Sequence, residues 1–481
     1  MDPITRRKFL SQAGFSVAGL AAGSKLSPLL GGEKRVPMST SDAVPSGVVA
    51  PLAYSGGLPK CTLRLAIPSG PEADAHVALA PEFTKYSKGK VHIEVEQYGR
   101  SDQYEQKYLT LMKAKSSEWD IVRIVPLDFL LWGPNGWLMP FTKYMNDPTM
   151  FNAKVFNFHD YLPALVDLIS YKGQVYSFIQ EASAMLTFYR KDLLKKYGGV
   201  SAPPEMGWSY DQVTAISKKM LAGMKADGLK TYPFFFEGSA EQANCTLWQQ
   251  ANSSGVPTLT AGFKPQMTNS AIESSVAWAV SLEKAGLVPP SVSASGYAEG
   301  ITVFQQGLAA MGEQWNAGAI NLLDPKQSPG IHDKMGFAVL PYDPAGGPKA
   351  RRLFASVWSV GVSSYSQYPQ AAFEYAAWFA SPEIARETVL KGGGSSGRQS
   401  LLHEPAILAT NPQYKALADS FGFYAPWPAT PAASYIVEVL MVQTGTKIWS
   451  GTPSAAGINQ DLAGLDSAIL SYLKQEGISV S

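Results

Sequence analysis

The chain has 481 residues, of which 46% are hydrophobic and 16% are charged, and its formal net charge is +1. This length exceeds the size at which a single hydrophobic core stops growing, and the composition excludes a disordered protein, so we expect two compact domains. Basic and acidic residues are mixed along the sequence and form no basic stripe, which argues against nucleic acid as a partner.

The first 30 residues read as an export signal. Arg6 and Arg7 precede Phe9 and Leu10, and an uncharged stretch rich in Ala, Gly and Val follows over residues 15–23. This order is typical of a twin-arginine signal, and the apolar stretch is too short for an ordinary membrane-spanning helix. Residues 31–60, rich in Pro, Gly and Ser, are interpreted as a flexible linker. We therefore expect a periplasmic or extracellular protein, whose leader is either cleaved or kept as a membrane tether.

After the linker, the spacing of apolar residues switches between two and 3.6, which predicts strands that alternate with helices and hence an α/β fold. The predicted strands are 63–67, 91–95, 120–125, 335–340 and 357–362, and the predicted helices include 272–285, 371–379 and 462–473. In open α/β sheets, ligands bind at the carboxyl ends of the strands. The turns at 69–72, 98–104 and 126–132 are therefore candidate ligand loops.

Motifs of enzyme chemistry are missing from the sequence. The five histidines are scattered and none stands at a metal-ligand spacing, while Cys61 and Cys245 lack any zinc or redox pattern and leave only a single disulfide open. There is no Gly-x-Ser-x-Gly elbow, and no Gly-x-Gly-x-x-Gly follows a predicted strand. We predict no metal, no cofactor and no catalytic residue. An exported oxidoreductase and a secreted glycosidase stay open as enzyme alternatives.

A series of short segments in a fixed order points to a known family. They are 119–122 with Asp128, 136–141, 171–176 followed by 188–194, 304–311 with Trp315, 358–362 and 371–382. In this order they resemble segments of the extracellular solute-binding proteins of ABC sugar importers, the group that includes maltose-binding protein. The resemblance spans about residues 61–476. It departs from the family pattern at residues 354–357 and in the glycine-rich run 392–397.

The resemblance implies a two-lobed periplasmic-binding-protein fold of type II, with mostly parallel sheets flanked by helices and a ligand cleft at the hinge. Each lobe is discontinuous, with residues 61–170 and 325–390 in the first and residues 171–324 and 391–481 in the second. It further implies a monomer that captures a mono- or oligosaccharide outside the cytoplasm and delivers it to the permease subunits of an ABC transporter. A polyol or polyamine as the ligand stays open.

Sugar rings have apolar faces and a rim of hydroxyls, so a binding site needs flat aromatic side chains and a polar rim. For the polar rim we predict Glu72, Arg100, Asp128, Glu181 and Arg398. For stacking we predict Trp132, Trp315, Trp358, Trp427 and Tyr435. Other roles stay open: Asp128 can cap a helix, Arg398 can be a surface charge, and Trp427 and Tyr435 can pack on nearby prolines.

Overall fold

The structure is a computed structural model that describes residues 57–99, 101–425, 430 and 432–481. The predicted export signal and most of the predicted linker lie outside these residues. Ten strands are described: β1 Cys61–Pro68, β2 Val91–Tyr98, β3 Ile121–Ile124, β4 Ser170–Tyr171, β5 Gln174–Val175, β6 Ser177–Arg190, β7 Met311–Trp315, β8 Met335–Ala338, β9 Leu353–Val362 and β10 Tyr424–Ala425.

The α-helices of the described residues are α1 Pro71–Tyr86, α2 Ser101–Lys113, α3 Pro126–Trp132, α4 Thr142–Met145, α5 Ala153–Phe156, α6 Pro163–Val166, α7 Lys191–Leu193, α8 Tyr210–Ala226, α9 Ala243–Ser253, α10 Ser270–Lys284, α11 Tyr297–Gln305, α12 Gly318–Leu323, α13 Pro369–Phe379, α14 Pro382–Leu390, α15 Gln399–Leu402, α16 Pro405–Thr410, α17 Gln413–Phe421, α18 Ala433–Tyr435, α19 Val442–Gly451 and α20 Ala455–Gln475. Short 3-10 turns occur at Phe158–Asp160, Asp167–Ile169 and Val292–Ala294, and π-helical turns at Leu194–Gly198 and Ile436–Met441. No helix in this part of the chain is both long and apolar enough to cross a membrane.

The main sheet has the strand order β2-β1-β3-β9-β6-β7. Strand β1 runs parallel to β2 and β3, whereas β9 runs antiparallel to β3 and β6. The long, wholly buried β6 pairs with β9 over its first half and with β7 and β8 over its second half. Strand β6 therefore carries the chain from one sheet region into another, and the predicted α/β fold is confirmed.

The predicted elements agree with this fold. The first two predicted strands are β1 and β2, and the apolar run 120–125 is β3, which is buried along its whole length. The predicted helix 272–285 is α10, and 371–379 and 462–473 lie within α13 and α20. Agreement is best in these elements because a buried face imposes a regular spacing of apolar residues.

Two buried glutamates make the stability of the fold depend on pH. Glu313 on β7 accepts hydrogen bonds from Gln250 Nε2 at 3.2 and 3.3 Å, and Glu374 on α13 accepts one from the Tyr86 hydroxyl at 2.7 Å. Burial raises the pKa of each carboxyl from 4.5 to about 7. Between these values the folded state binds more protons than the unfolded state. Their stabilisation is therefore full below pH 4.5 and is lost as the pH rises through 7.

We expect the urea concentration at the unfolding midpoint of the wild-type protein to decrease as the pH is raised from 5 to 8. In the double variant E313Q/E374Q this decrease should be smaller. Glutamine keeps the size of the protonated acid but has no proton to lose. Urea titrations at pH 5, 6, 7 and 8 measure both slopes. An equally steep slope in the double variant would show that other groups set the pH dependence.

Candidate functional site

Three of the predicted ligand residues meet beside the middle of β6. Glu72 stands in the first turn of α1, directly after the carboxyl end of β1, while Glu181 on β6 faces Trp358 on β9 in the antiparallel register. The turn at Gly394 closes the group, because a Cβ at this position would lie 3.2 Å from Glu72 Oε1 and 3.5 Å from Glu181 Cδ. The structure therefore brings the two carboxyls together, next to one predicted stacking residue.

The two carboxyls form a buried, hydrogen-bonded pair. Glu72 and Glu181 are only 3% and 2% exposed. Burial, the charge of Glu72 and a hydrogen bond between the two carboxyls raise the pKa of Glu181 well above its usual range. The Ser395 hydroxyl oxygen also lies 3.5 Å from Glu181 Oε1. Glu181 therefore holds its proton more tightly than a solvent-exposed glutamate does.

A buried polar chain holds this pair in place. Gln180 stands at an irregularity of the β6·β9 register and donates through Nε2 to the Glu72 carbonyl at 3.1 Å, while His76 Nε2 lies 3.2 Å from Gln180 Oε1. An amide oxygen only accepts, so His76 Nε2 carries the proton, and the Tyr375 hydroxyl donates to Nδ1 at 2.7 Å. Burial lowers the pKa of His76 to about 3, so the ring stays neutral. The chain fixes the start of α1 on β6.

The predicted aromatic residues fall into different environments. Trp358 and Trp315 are half-buried, and the Trp315 indole N–H donates to Gln242 Oε1 at 3.0 Å. Trp315 pairs with Met185 and Trp358 with Glu181, four residues apart on β6, which offsets the two tryptophans by about 13 Å along that strand. The two indoles can therefore flank a ligand that extends along β6.

Tyr435 stands where two parts of the fold touch. Its ring stacks on Tyr472, with the ring centroids 4.0 Å apart. The preceding residue, Ser434, donates through its hydroxyl to the Leu127 carbonyl of α3 at 3.1 Å. Tyr435 is therefore packed on one face and lies beside a hydrogen bond that joins α18 to the first turn of α3.

Asp128 is not the N-cap of its helix, because α3 begins at Pro126 and its N-cap is Val125. The carboxylate instead lies 3.5 Å from Nη1 of Arg123 on β3, and both side chains are buried. Sequence reasoning missed Arg123. The available signal was a single charged residue inside the apolar run 120–125.

The structure contradicts the predicted ligand contact of Arg398. This side chain is fully buried, and its guanidinium group donates to backbone carbonyls and lies 3.5 Å from Asp160 Oδ2. Nε and Nη2 donate to Ala380 at 3.2 and 2.7 Å, Nη2 also to Phe156 at 3.0 Å, and Nη1 to Asn157 at 3.2 Å. Arg398 is neither a ligand contact nor a surface charge, since it ties the glycine-rich turn to α5 and α13.

Trp132 is also wrong as a stacking residue. It is 1% exposed and stacks on Tyr108 with a centroid distance of 3.8 Å, inside a small aromatic core between α2 and α3. Arg100 and Trp427 lie outside the described residues, so their predicted contacts stay predictions. Of the ten predicted residues, the structure groups Glu72, Glu181 and Trp358. Asp128 is connected to this group by Arg123, which contacts both Asp128 and the Trp358 ring.

Replacing Gly394 by alanine is expected to weaken the site. Gly394 has a φ of +101°, which L-residues rarely adopt, and its new Cβ would press on Glu72 Oε1. We expect a loss of about 1–3 kcal/mol in unfolding free energy together with a lower ligand affinity. Urea titration and calorimetric titration measure the two effects.

Gly464→Ala is the matched control, because Gly464 lies within α20 and its Cβ would meet no atom within 4 Å. This variant should be as stable as the wild type, or more stable by up to about 1 kcal/mol. A G394A protein with wild-type affinity would show that the pair of carboxyls does not need this close turn.

Features of metal and disulfide chemistry are missing from the described part of the chain. Among these residues, no group of three or more His, Cys, Asp and Glu side chains is arranged to hold a metal ion. Cys61 and Cys245 are both free. The site thus consists of carboxyl, amide, hydroxyl and indole groups, which suit recognition of a polyhydroxylated molecule through hydrogen bonds and stacking.

Comparison with known proteins gives a consistent result. The sequence model described as bacterial extracellular solute-binding protein matches residues 69–386. The mannitol-binding protein of Pseudomonas aeruginosa is 24% identical over 321 residues, which are 66% of this chain and 69% of that protein. Maltose-bound MalE3 of T. maritima superimposes with a TM-score of 0.73 at 19% identity, over 85% of this chain and 99% of that one. A solute-binding protein of Agrobacterium vitis S4 with bound D-mannitol gives 0.71 at 23% identity, over 86% and 99%.

Proposed function

The chain belongs to the family of bacterial extracellular solute-binding proteins, and from this premise we propose that it captures a carbohydrate or polyol and hands it to an ABC transporter. The observation that carries the proposal is the buried carboxyl pair of Glu72 and Glu181 beside the half-exposed ring of Trp358. Hydroxyl groups of a ligand can donate to and accept from such a pair, while an apolar C–H face stacks on the indole.

The ligands named for the similar proteins support a sugar or polyol as the ligand of this protein. The curated relative from Pseudomonas aeruginosa is named for mannitol, and the similar solved structures hold maltose and D-mannitol. Trp315 and Trp358, about 13 Å apart along β6, leave room for a linear polyol or for more than one sugar ring. We propose a mono- or oligosaccharide or a polyol as the ligand.

The carboxyl pair also argues for binding and against glycoside hydrolysis. Retaining and inverting glycosidases hold their two carboxyls roughly 5 to 9.5 Å apart, so that a sugar and a water molecule fit between them. Glu72 and Glu181 are instead hydrogen-bonded directly to each other. This spacing leaves no room for the reacting bond, and we propose that the protein is a binding protein without catalytic activity.

In this proposal the ligand binds between two lobes that close on it. The lobe boundaries predicted above, with crossings near residues 169–176, 312–336 and 390–401, are part of the proposal. The hydrogen bond from Ser434 to Leu127, which joins α18 to α3, supports a closed arrangement. A ligand that contacts both lobes only after closure shifts the population towards the closed form. Hinge closure of this kind occurs in periplasmic binding proteins.

The remaining parts of the proposal concern the cellular setting. The twin-arginine leader places the protein outside the cytoplasm, in the periplasm or beyond, and the permease subunits of an ABC transporter receive the loaded form. The protein acts as a monomer and needs no cofactor. Expression with the native leader, followed by fractionation with and without the twin-arginine translocase, tests the export route.

A thermal-shift screen tests the function directly. The mature protein, from residue 60 onward, is tested against mono-, di- and oligosaccharides, polyols and polyamines. A ligand at one hundred times its Kd adds about 2.7 kcal/mol to stability, which gives a readable rise in Tm. A saturable rise with a sugar or polyol that is not consumed supports the proposal. Turnover of a glycoside, or a shift with polyamines alone, contradicts it.

Small-angle scattering tests the closure. The bound ligand from the screen should reduce the radius of gyration of the mature protein in a saturable way. An unchanged radius at saturation would contradict lobe closure, while leaving the thermal-shift result on ligand class intact.

A further inference from the structure

Arg123 is a buried cation that the site described so far does not use. Its residue exposure is 2%, and Nε and Nη2 have no hydrogen-bond partner among the described atoms. The third nitrogen, Nη1, lies 3.5 Å from Asp128 Oδ2. A permanently charged group with two unpaired donors is costly to bury unless its surroundings compensate for the lost water.

Two aromatic rings provide that compensation. The guanidinium carbon of Arg123 lies 4.9 Å from the ring centroid of Tyr104 and 4.8 Å from that of Trp358. Both distances are within the range of cation–π attraction, which is strongest for tryptophan and increases when water is excluded. The Tyr104 hydroxyl also donates to the Arg123 carbonyl at 2.6 Å, so that α2 and β3 are held in register around the stack.

The placement connects this stack to the ligand site. Tyr104 is near the start of α2, Asp128 is in the first turn of α3, and Trp358 stands opposite Glu181 on β9. Of the stacked groups, Trp358 alone is half-exposed, and the guanidinium covers one face of its indole.

We propose that Arg123 is a positioning residue of the binding site, which fixes the plane of the Trp358 indole so that its other face is ready to stack on the ligand. The ligand contact of Trp358 rests on the proposed function, whereas the fixed ring plane does not. A side chain held in one rotamer before binding loses little entropy when the ligand arrives, so affinity depends on the cation behind the ring.

The first test needs no ligand. The protein is labelled with 5-fluorotryptophan, and W358F identifies the fluorine resonance of Trp358 among those of the 11 tryptophans. In the wild type we expect one narrow resonance for Trp358. In R123M, whose apolar side chain fills the space without a charge, this resonance should shift and broaden because the ring samples more than one plane. An unchanged Trp358 resonance in R123M overturns the proposal.

R351M is the matched control. Arg351 is also buried, lies 4.3 Å from the Phe423 ring through its guanidinium carbon, and has unpaired Nε and Nη2 atoms. Arg351 precedes β9, and its guanidinium group lies over the rings of Tyr342 and Phe423 instead of the Trp358 ring. R351M should lose stability to a similar degree while the Trp358 resonance stays as in the wild type. R123K retains the charge without the planar group, and its Trp358 resonance should lie between those of wild type and R123M.

A double-mutant cycle then tests the effect on binding. Affinities for maltose and D-mannitol are measured by calorimetry for wild type, R123M, W358F and R123M/W358F. For a ligand that binds, R123M should weaken binding roughly tenfold, and less than about twofold when Trp358 is already phenylalanine. Equal losses in both backgrounds overturn the action through Trp358. If neither probe binds and the wider screen also fails, the proposed function is contradicted while the fluorine spectra still decide whether Arg123 fixes the ring.

Discussion

Replacing Arg398 by methionine is expected to lower the unfolding free energy by about 3–5 kcal/mol, because three backbone carbonyls would lose a charged donor inside the fold. The guanidinium group of the wild type donates to Ala380, Phe156 and Asn157 and lies 3.5 Å from Asp160. Methionine fills much of the volume but donates nothing. Urea unfolding at pH 7 measures the loss.

R386M is the control for this prediction. Arg386 forms a two-pronged contact with Glu404, but its side chain is 43% exposed, so water can replace the partner. We expect a loss below about 1 kcal/mol. The stability of R398M is the deciding result. A stable R398M protein that no longer binds its ligand would restore the role that the sequence predicted, in which Arg398 contacts the ligand.

The case of Arg398 shows which information the sequence lacked. An arginine in a run of Gly and Ser is typical of an exposed loop, and nothing nearby in the chain identifies its partners. Those partners come from residues 156, 157 and 380, which only the folded chain brings together. Periodicity predicted β1, β2, β3 and the long helices because each carries its own buried face. Long-range polar contacts have no such local signature.

The positions of the aromatic side chains were likewise not predictable from the sequence alone. Trp132 and Trp358 were both predicted as stacking residues, because a flat indole suits the apolar face of a sugar ring. In the structure, Trp132 ends α3 with its ring turned into the core against Tyr108, while Trp358 stays half-exposed beside Glu181. Which face of a helix or strand meets the site depends on the packing of neighbouring elements, and composition does not reveal it.

The resemblance to sugar-binding proteins supplied what periodicity could not. For a ligand of that kind a polar rim was predicted that includes Glu181, and the structure places this carboxyl beside that of Glu72. The partnership itself was not predictable, because 108 residues separate Gln180 from the Glu72 carbonyl that it binds. Arg123 was not predicted as a site residue for a related reason. A single charge in an apolar strand has no meaning until its aromatic neighbours are known.

Replacing Glu181 by glutamine is expected to weaken ligand binding by about tenfold to a hundredfold, with the fold intact. The protonated acid and the amide have nearly the same shape, so the packing of β6 against β9 is retained. The amide has only one acceptor oxygen and its NH2 group can only donate, so a ligand hydroxyl that donates to the second carboxyl oxygen loses its acceptor, and each mispaired buried group costs about 1–3 kcal/mol. Calorimetric titration with the ligand found by the thermal-shift screen measures the change.

E374Q is the matched control, because Glu374 is also a buried glutamate with a raised pKa but lies on α13, hydrogen-bonded to Tyr86 and away from Trp358. It should bind the ligand as the wild type does. The unfolding free energy of E181Q is expected to change in the opposite direction to its ligand affinity. Since the pKa of Glu181 is raised in the folded protein, its stabilising contribution is full below pH 4.5 and declines as the pH rises.

E181Q should consequently be at least as stable as the wild type at pH 8 and lose its advantage at pH 4.5. A neutral amide suits the buried environment better than a carboxylate does, so E181Q should gain stability at high pH. If it also loses affinity, the carboxyl group of Glu181 serves ligand binding at a cost in stability. If E181Q bound the ligand as tightly as E374Q and the wild type, the carboxyl pair would be a structural feature of the β6 crossing, and the ligand site would have to be sought around Trp315 and Gln242 instead.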